Sequence, residues 1–268
     1  MINVYNRDCL GMLKNVGKDE TYDLIYLDPP FNTGHSQVKR TTQGRAGFSE
    51  KRYDVVELAK MEYNDKFEDY YGFLFPVLEE LYRVLKQTGS ILVHLDQNES
   101  HYAKIFLDQL FGRENFRNEL IWTWDYGAKS KRYWPKKHSS IFWYTKSDEY
   151  YFDIQSSDRL PYMAPGLVTA EKLAQGKLPT DTWFISIVGT NSVERTNYPT
   201  QKPLKLIRRL VNCHSKEGDR LLDPFAGSGT FGVAAKELNR NCDLIDVNPE
   251  AVQIINERLS KLNYRELV

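Results

Sequence analysis

Asp28-Pro29-Pro30-Phe31 ends the apolar run Tyr22 to Leu27 and puts a carboxylate, a rigid turn and an aromatic face at one strand's carboxyl edge. Residues before proline are driven toward extended geometry, and two prolines in a row cannot continue a ladder, so the chain leaves the sheet stiffly. Open α/β sheets bind ligands at such an edge. A carboxylate there accepts hydrogen bonds from an amine, and the Phe31 ring can stack on a flat molecule. Taken alone, the tetrapeptide reads equally as a strand-ending turn.

A second constellation lies far along the chain. Arg220-Leu221-Leu222 runs straight into Asp223-Pro224-Phe225-Ala226-Gly227-Ser228-Gly229-Thr230, a glycine turn that leaves backbone N–H groups at a helix start and lets a ligand approach closely. The spacing is neither the dinucleotide Gly-x-Gly-x-x-Gly nor the Walker pattern, since no Lys follows the last Gly, which disfavours a nicotinamide enzyme. Twenty-three residues after Asp223 comes Asp246, at the end of the next expected strand. An acid there can take both hydroxyls of an adenosine ribose. It can also simply cap the last helix beside Asn248-Pro249. Tyr198-Pro199-Thr200-Gln201-Lys202-Pro203 precedes the helix that feeds the glycine-turn strand, so it lies near the same rim; on its own it is a helix start.

The elements that must hold these groups alternate between strand and helix, which predicts an α/β fold. Tyr22 to Leu27 is a buried strand. Phe67 to Lys86 has helical spacing with Gly89 as a stop, and Ile91 to Leu95 is the next strand. His101 to Phe111 is helical. Leu120 to Trp124 and Ile141 to Thr145 are strands joined by a basic loop. Lys202 to Cys213 is a helix opened by Pro203. A helix through about Leu238 follows the glycine turn, then a strand from Asp243 to Val247. A final helix has Val252, Ile255, Leu259 and Leu262 on one face. Asn32 to Lys66 is polar, carries Gly34, Gly44 and Gly47, and is too long for an ordinary connection, so a mobile functional loop is expected over 32–66. Gln155 to Pro179 is expected to be a small inserted module.

At 268 residues and 41% apolar, the chain can bury a full core, as one domain over 1–268. Thirty-six basic residues balance thirty-six acidic ones, so a polyanion must be held by a local patch. Cys9, Cys213 and Cys242 are too few and too scattered for disulfides or zinc, which points to a reducing cytosolic compartment and no metal site. Met1-Ile2-Asn3-Val4 begins no leader, and no apolar run is long enough to span a membrane, so a cytoplasmic protein is expected. His94, His101 and His138 read as structural or surface residues.

Three landmarks occur together here: an Asp-Pro-Pro-aromatic strand end, a Tyr-Pro-Thr-Gln-Lys-Pro helix start and an Asp-Pro-Phe-x-Gly-Ser-Gly-Thr turn. In this the chain resembles the amino-methyltransferases that use S-adenosylmethionine. With the Asp-Pro-Pro-Phe module first and the glycine turn last, it resembles the β group of DNA amino-methyltransferases over nearly its whole length. Asn6-Arg7-Asp8-Cys9-Leu10, Arg83-Val84-Leu85-Lys86, Gly89-Ser90 and Lys137-His138 extend the match. The resemblance implies a Rossmann-like, permuted methyltransferase fold with a small target-recognition insert, expected at 151–197. It implies S-adenosyl-L-methionine as cofactor. Asp223, Phe225, Gly227, Gly229 and Thr230, with Ala226 and Ser228 between them, would line its methionine half. Asp246 would hold the ribose with Asn248 nearby, Thr200-Gln201-Lys202-Pro203 would contact the amino acid end, and Asp8 and Cys9 would flank the adenine. Asn6-Arg7 departs from the family's frequent Gly before that Asp.

Asp28, Pro29, Pro30 and Phe31 would then be catalytic, with Asp28 also at the cofactor's edge. An exocyclic amine is a poor nucleophile because its lone pair is delocalised into the ring. Asp28 and the Pro29 carbonyl can accept its N–H bonds and aim the lone pair at the sulfonium methyl. Such an amine is inaccessible in a duplex, so the base must be flipped out and stacked on Phe31. Lys129, Lys131, Arg132, Lys136 and Lys137 fall in an acid-free stretch with Tyr133 and Trp134, a candidate phosphate-binding patch. Lys39, Arg40, Arg45, Lys51 and Arg52 give the 32–66 loop the same bias; a solvated charged surface is the alternative for both. Related N4-cytosine enzymes usually carry Ser where Asp28 stands, so N6-adenine in double-stranded DNA is the expected target. N4-cytosine and a catalytically silent DNA-recognition subunit are the alternatives. A cognate restriction enzyme and a homodimer are expected partners, in a prokaryotic or phage-encoded, nucleoid-associated setting.

Overall fold

The computed structural model describes residues 1–32, 37–43, 56–63, 65–127 and 129–265. The chain opens with β1 (Ile2–Asn6) and α1 (Cys9–Val16), neither of which its periodicity announces. β1 is short and half-exposed, and α1 is fixed by its cap: the Asp8 side chain accepts the Gly11 N–H at 2.7 Å. β2 (Tyr22–Leu27) has the expected bounds, and only Asp23 within it is not buried.

β3 (Gln37–Gln43) and β4 (Val56–Tyr63) form an antiparallel pair apart from the main sheet. The 32–66 connection therefore carries strands of its own, which its polar, glycine-bearing composition does not suggest. α2 (Tyr70–Val84) is capped by Asp69 and buries Leu74, Val77, Leu78, Leu81 and Val84, a stripe at three- and four-residue spacing. β5 (Leu85–Leu95) follows at once. Gly89, expected as a helix stop before a strand at Ile91, lies inside β5; the helix has already ended at Val84 because Leu85 turns extended.

α3 (Ser100–Phe111), β6 (Phe116–Thr123) and β7 (His138–Thr145) come next, then α4 (Ala170–Gln175), β8 (Thr182–Phe184) and α5 (Leu204–His214). β9 (Arg220–Asp223), α6 (Thr230–Glu237), β10 (Asn241–Asp246) and α7 (Pro249–Arg265) complete the chain in the expected β-α-β-α order. β8 pairs parallel with β6, so the 151–197 region supplies the edge strand of the main sheet as well as α4.

The main sheet has eight strands in the order β1-β10-β9-β2-β5-β7-β6-β8. It is parallel from β1 to β5, and β7 runs antiparallel to both of its neighbours. Helices α1, α2 and α3 pack one face, and α5, α6 and α7 pack the other. This is an α/β fold, with the sheet buried on both sides. Each fully buried leucine in these layers contributes about 1.5–3 kcal/mol.

One adjacency positions the site. β2 lies between β9 and β5, with Ile25 opposite Leu222 and, one strand further, Asp223 opposite Leu244. All of these strands are parallel, so Asp28, Asp223 and Asp246 emerge at the same carboxyl edge although the first two are far apart in sequence.

Candidate active site

A cavity of about 600 Å³ opens at that edge, walled by Asp28, Lys202, Asp223, Phe225, Gly227 and Asp246. Asp8, Cys9, Thr200, Gln201, Ala226, Ser228, Thr230 and Asn248 also face it. Pro203 and Gly229 stand behind the wall: Pro203 is the N-cap of α5, and Gly229 the N-cap of α6. Tyr26, Tyr198 and Phe231 line the cavity too, and no motif in the sequence assigns them individually to the cofactor.

The glycine turn is held from several sides. Gly227 has a φ of +50°, and a Cβ on it would come 3.1 Å from the Tyr198 ring, so the close approach needs glycine. Its N–H donates to Asp246 Oδ2 at 2.7 Å, while Asn248 N–H donates to Oδ1 at 2.8 Å. Asp246 therefore braces the turn before α7, while Asn248 caps that helix by accepting the Glu250 N–H at 2.9 Å, and each Asp246 oxygen keeps a further lone pair for a ligand hydroxyl. Burial pushes its carboxyl above the usual range, and the two backbone N–H groups pull it back. Asp223 accepts the Phe225 N–H at 3.0 Å, and its burial drives that carboxyl well upward. Arg258 reaches over from α7 to the Ser228 carbonyl at 2.6 Å and Thr230 Oγ1 at 3.0 Å. Gln201 braces its own loop: Oε1 accepts from Thr196 N and Oγ1, and Nε2 donates one N–H to the Glu194 carbonyl.

Asp28 is the centre of the other wall. Its Oδ2 is ion-paired with Lys202 Nζ, and Lys202 also lies 5.0 Å from the centre of the Phe31 ring. Its Oδ1 is buried and has no hydrogen-bond partner among the described residues. Burial pushes the Asp28 carboxyl up, and the Lys202 ammonium draws it part of the way back. Pro29 and Pro30 are buried, and the Pro30 carbonyl accepts the Tyr70 hydroxyl at 2.6 Å.

His94, which reads from sequence as structural or surface, is wholly buried beneath this wall. Its Nδ1 shares a 2.8 Å hydrogen bond with the Tyr26 hydroxyl and its Nε2 a 2.6 Å one with Ser139. Burial holds it well below the ordinary histidine range, so the ring is neutral. Its place in the apolar run of β5, two residues after Leu92, is the only signal of this in the sequence. The cysteines carry no nucleophile: burial pushes the Cys9 thiol up to about 12 and Cys213 to about 11.

A second cavity of about 400 Å³ adjoins the first and shares Tyr198, Thr200, Gln201 and Lys202 with it. Phe31, Trp122, Trp124 and Asp96 form its other walls. Lys136 also lines it and donates to Asn98 Oδ1 at 2.6 Å. Lys129, Lys131 and Arg132 are exposed, and Lys137 is half-buried. Lys39 and Arg40 fall on β3; Arg45, Lys51 and Arg52 lie outside the described residues. Among the described residues no group of His, Cys, Asp and Glu could hold a metal ion, and no helix is long and apolar enough to cross a membrane.

A family model described as DNA methylase matches residues 22–257. The chain belongs to this family. The DNA methylase match agrees with individual relatives. Type II methyltransferase M.HpaI of Haemophilus parainfluenzae is 32% identical over 252 residues, 94% of this chain and 72% of that protein. The fold matches the solved M1.HpyAVI–SAM complex with a TM-score of 0.63 at 20% identity, covering 97% of this chain and 99% of that one. It matches PvuII DNA methyltransferase, described as cytosine-N4-specific, with a TM-score of 0.66 at 17% identity, covering 95% and 85%. The protein is a DNA amino-methyltransferase, acting on N6 of adenine or N4 of cytosine with S-adenosylmethionine as cofactor. The first cavity fits that cofactor. Asp246 ends β10 with lone pairs available for ribose hydroxyls, and the Gly227 turn clears the space that a side chain would fill.

Proposed function

We propose that the protein methylates N6 of adenine at a specific sequence in duplex DNA, on a base turned out of the helix. The observation that carries this is the buried Oδ1 of Asp28, which has no hydrogen-bond partner among the described residues. An acceptor left in that state is costly, and an exocyclic amine N–H supplies its missing donor. The Pro29 carbonyl is the second acceptor. Together they draw the nitrogen toward tetrahedral geometry and aim its lone pair into the cofactor cavity. S-adenosylmethionine, when bound, would supply an electrophilic methyl group to that lone pair, and the Asp28 carboxylate stands where it would accept the proton that the methylated nitrogen has to lose.

The second cavity receives the base. Its aromatic walls, Phe31, Trp122 and Trp124, suit a flat heterocycle, and stacking contributes about 1–3 kcal/mol per base. The shared Tyr198-to-Lys202 wall brings amine and cofactor together. Asp at position 28 supports adenine, because the related N4-cytosine enzymes usually carry Ser there. The exposed Lys129, Lys131 and Arg132 support a duplex substrate, since phosphate contacts dominate DNA affinity. The name of M.HpaI, a type II methyltransferase, supports a restriction–modification setting with an endonuclease partner.

The test is methyl transfer from labelled S-adenosylmethionine to duplex DNA, with the products digested and identified as nucleosides. N6-methyladenine is expected, and Asp28→Ala should lower the rate by about a hundredfold or more while cofactor binding persists. N4-methylcytosine as the sole product, or full activity in Asp28→Ala, overturns the proposal.

A further inference from the structure

We propose that Lys202 is a positioning residue for methyl transfer: it holds Asp28 ionised and occupies Oδ2, so that Oδ1 is the oxygen left to receive the target amine. This rests on the amine-binding role given to Asp28 above.

The two oxygens of Asp28 are not equivalent. Oδ2 carries the Lys202 ion pair, and Oδ1 is buried with no hydrogen-bond partner among the described residues. The Asp28 side chain is only 16% exposed and that of Lys202 only 10%, so the pair sits where water screens little. A carboxylate in such a place stays charged only beside a compensating cation. Protonated, it would have one oxygen turned into a donor and would grip an amine less well.

Among the described residues, the surrounding groups leave Lys202 as that cation. His94 Nδ1 lies 3.8 Å from Oδ1, but it is already hydrogen-bonded to Tyr26, and burial holds the ring neutral. Asp65, before α2, adds negative charge and works against ionisation, and Asp28 in its turn helps to raise the buried Asp223 carboxyl at the end of β9. Tyr70 on α2 and Tyr198 before α5 also face the carboxylate, and burial and nearby acids keep both phenols protonated. Lys202 is also placed to act on geometry. It sits directly before the α5 cap, Pro203, whose φ of −63° is fixed by its ring, and its carbonyl accepts Thr230 Oγ1 at 3.2 Å. The backbone that carries the ammonium is thereby tethered to both the helix and the glycine turn.

The family resemblance places Lys202 at the amino acid end of the cofactor, and the two roles predict different kinetics. The experiment is the pH dependence of kcat with DNA and cofactor both saturating, for wild type, Lys202→Met and Lys202→Arg. Lys202→Met should lose at least tenfold in kcat at neutral pH, and its acidic limb should move to higher pH by about one unit or more, as expected when a counter-charge is removed from a buried acid. Lys202→Arg, which keeps the charge, should return the limb toward its wild-type position. An unmoved limb in Lys202→Met, with only the KM for S-adenosylmethionine raised, overturns the inference and leaves Lys202 as a cofactor contact.

Should Lys202→Met not fold, Lys202→Gln carries the same question through a carboxyl ¹³C NMR titration that needs no turnover. The Asp28 signal, assigned by its loss in Asp28→Asn, should titrate higher in Lys202→Gln than in wild type. Equal titration overturns the inference. Full activity in Asp28→Ala would instead remove the underlying amine-binding role, so the two failures are distinct.

Discussion

Asn32 Oδ1 accepts the Phe67 N–H at 3.1 Å, so one side chain joins two points thirty-five positions apart in the chain. The same residue donates its own N–H to Asp65 Oδ1 at 2.8 Å and its Nδ2 to Glu99 Oε1 at 2.9 Å. Tyr71 in turn donates to Glu99 Oε2 at 3.0 Å. Asn32 directly follows Phe31 and has a φ of +52°, a left-handed conformation that Asn tolerates better than most residues. The exit from the Asp-Pro-Pro-Phe turn is thus pinned to the start of α2 and the start of α3.

Removing that side chain should loosen Phe31 and the fold together. Asn32→Ala loses two side-chain hydrogen bonds, leaves Glu99 short of a donor, and puts a Cβ-bearing residue without polar compensation in the left-handed region. The expected cost is about 2–4 kcal/mol, seen as a melting temperature lower by several degrees, with methyl transfer reduced in parallel. Asn32→Gly keeps the backbone relaxed and should recover about 1 kcal/mol of the loss without recovering activity. Equal melting temperatures for all three proteins would remove the pinning role.

Much of the fold is legible in the sequence because burial writes itself into pattern. Tyr22 to Leu27 is apolar almost throughout, since both faces of a central parallel strand are covered, and its bounds can be read directly. The stripe of α2 and the run from β9 through α7 are equally plain. β1 escapes notice because it is an edge strand paired on one side only, with β10. β8 is three residues long and exists because Ile121 to Thr123 offers a ladder to Thr182 to Phe184. No local preference announces that kind of strand.

Buried histidine gives the stability of the protein an acid limit. His214 is 4% exposed at the end of α5, its Nδ1 donates to the Leu210 carbonyl at 2.9 Å, and it meets the edge of Trp143 with ring centres 4.5 Å apart. Burial pushes it down to about 4. In the unfolded chain it titrates near 6.5, so below that pH the unfolded state binds a proton that the folded state refuses. Stability is therefore lost as pH falls from about 6.5 toward 4, by up to about 1.4 kcal/mol per pH unit. The buried acids with raised pKa work in the opposite direction, so the effect is isolated by difference. Urea unfolding of His214→Phe and wild type should diverge progressively below pH 6.5 in favour of the variant. Parallel stability curves across that window would contradict it.

The site is legible in its parts and not in its connections. Asp28, Asp223 and Asp246 can each be found as an acid at a strand end, because the position of a strand's last residue follows from its pattern. That Lys202 reaches Asp28 cannot be found that way, since the ion pair joins residues 174 positions apart and depends on β2 lying beside β9. His94, Asn32 and Glu99 are similar. Each is an ordinary polar residue in sequence, and only the tertiary fold makes them neighbours of the turn.

The basic loop between β6 and β7 should carry salt-dependent DNA affinity. Lys129, Lys131 and Arg132 are exposed, and Trp134 beside them is 94% exposed, which is unusual for so large an apolar side chain. If Lys131 and Arg132 neutralise phosphates, Lys131→Ala/Arg132→Ala should weaken binding to all duplex sequences alike. It should also flatten the plot of log K against log salt by about 0.9 for each phosphate no longer neutralised. Trp134→Ala separates stacking from charge. It should leave that slope unchanged while lowering affinity by about 1–3 kcal/mol where the ring stacks on a base. Fluorescence anisotropy over a salt series reads both quantities. An unchanged slope in the double variant would make the loop a solvated surface and move the phosphate-binding role elsewhere, with Lys39 and Arg40 on β3 next to be tested.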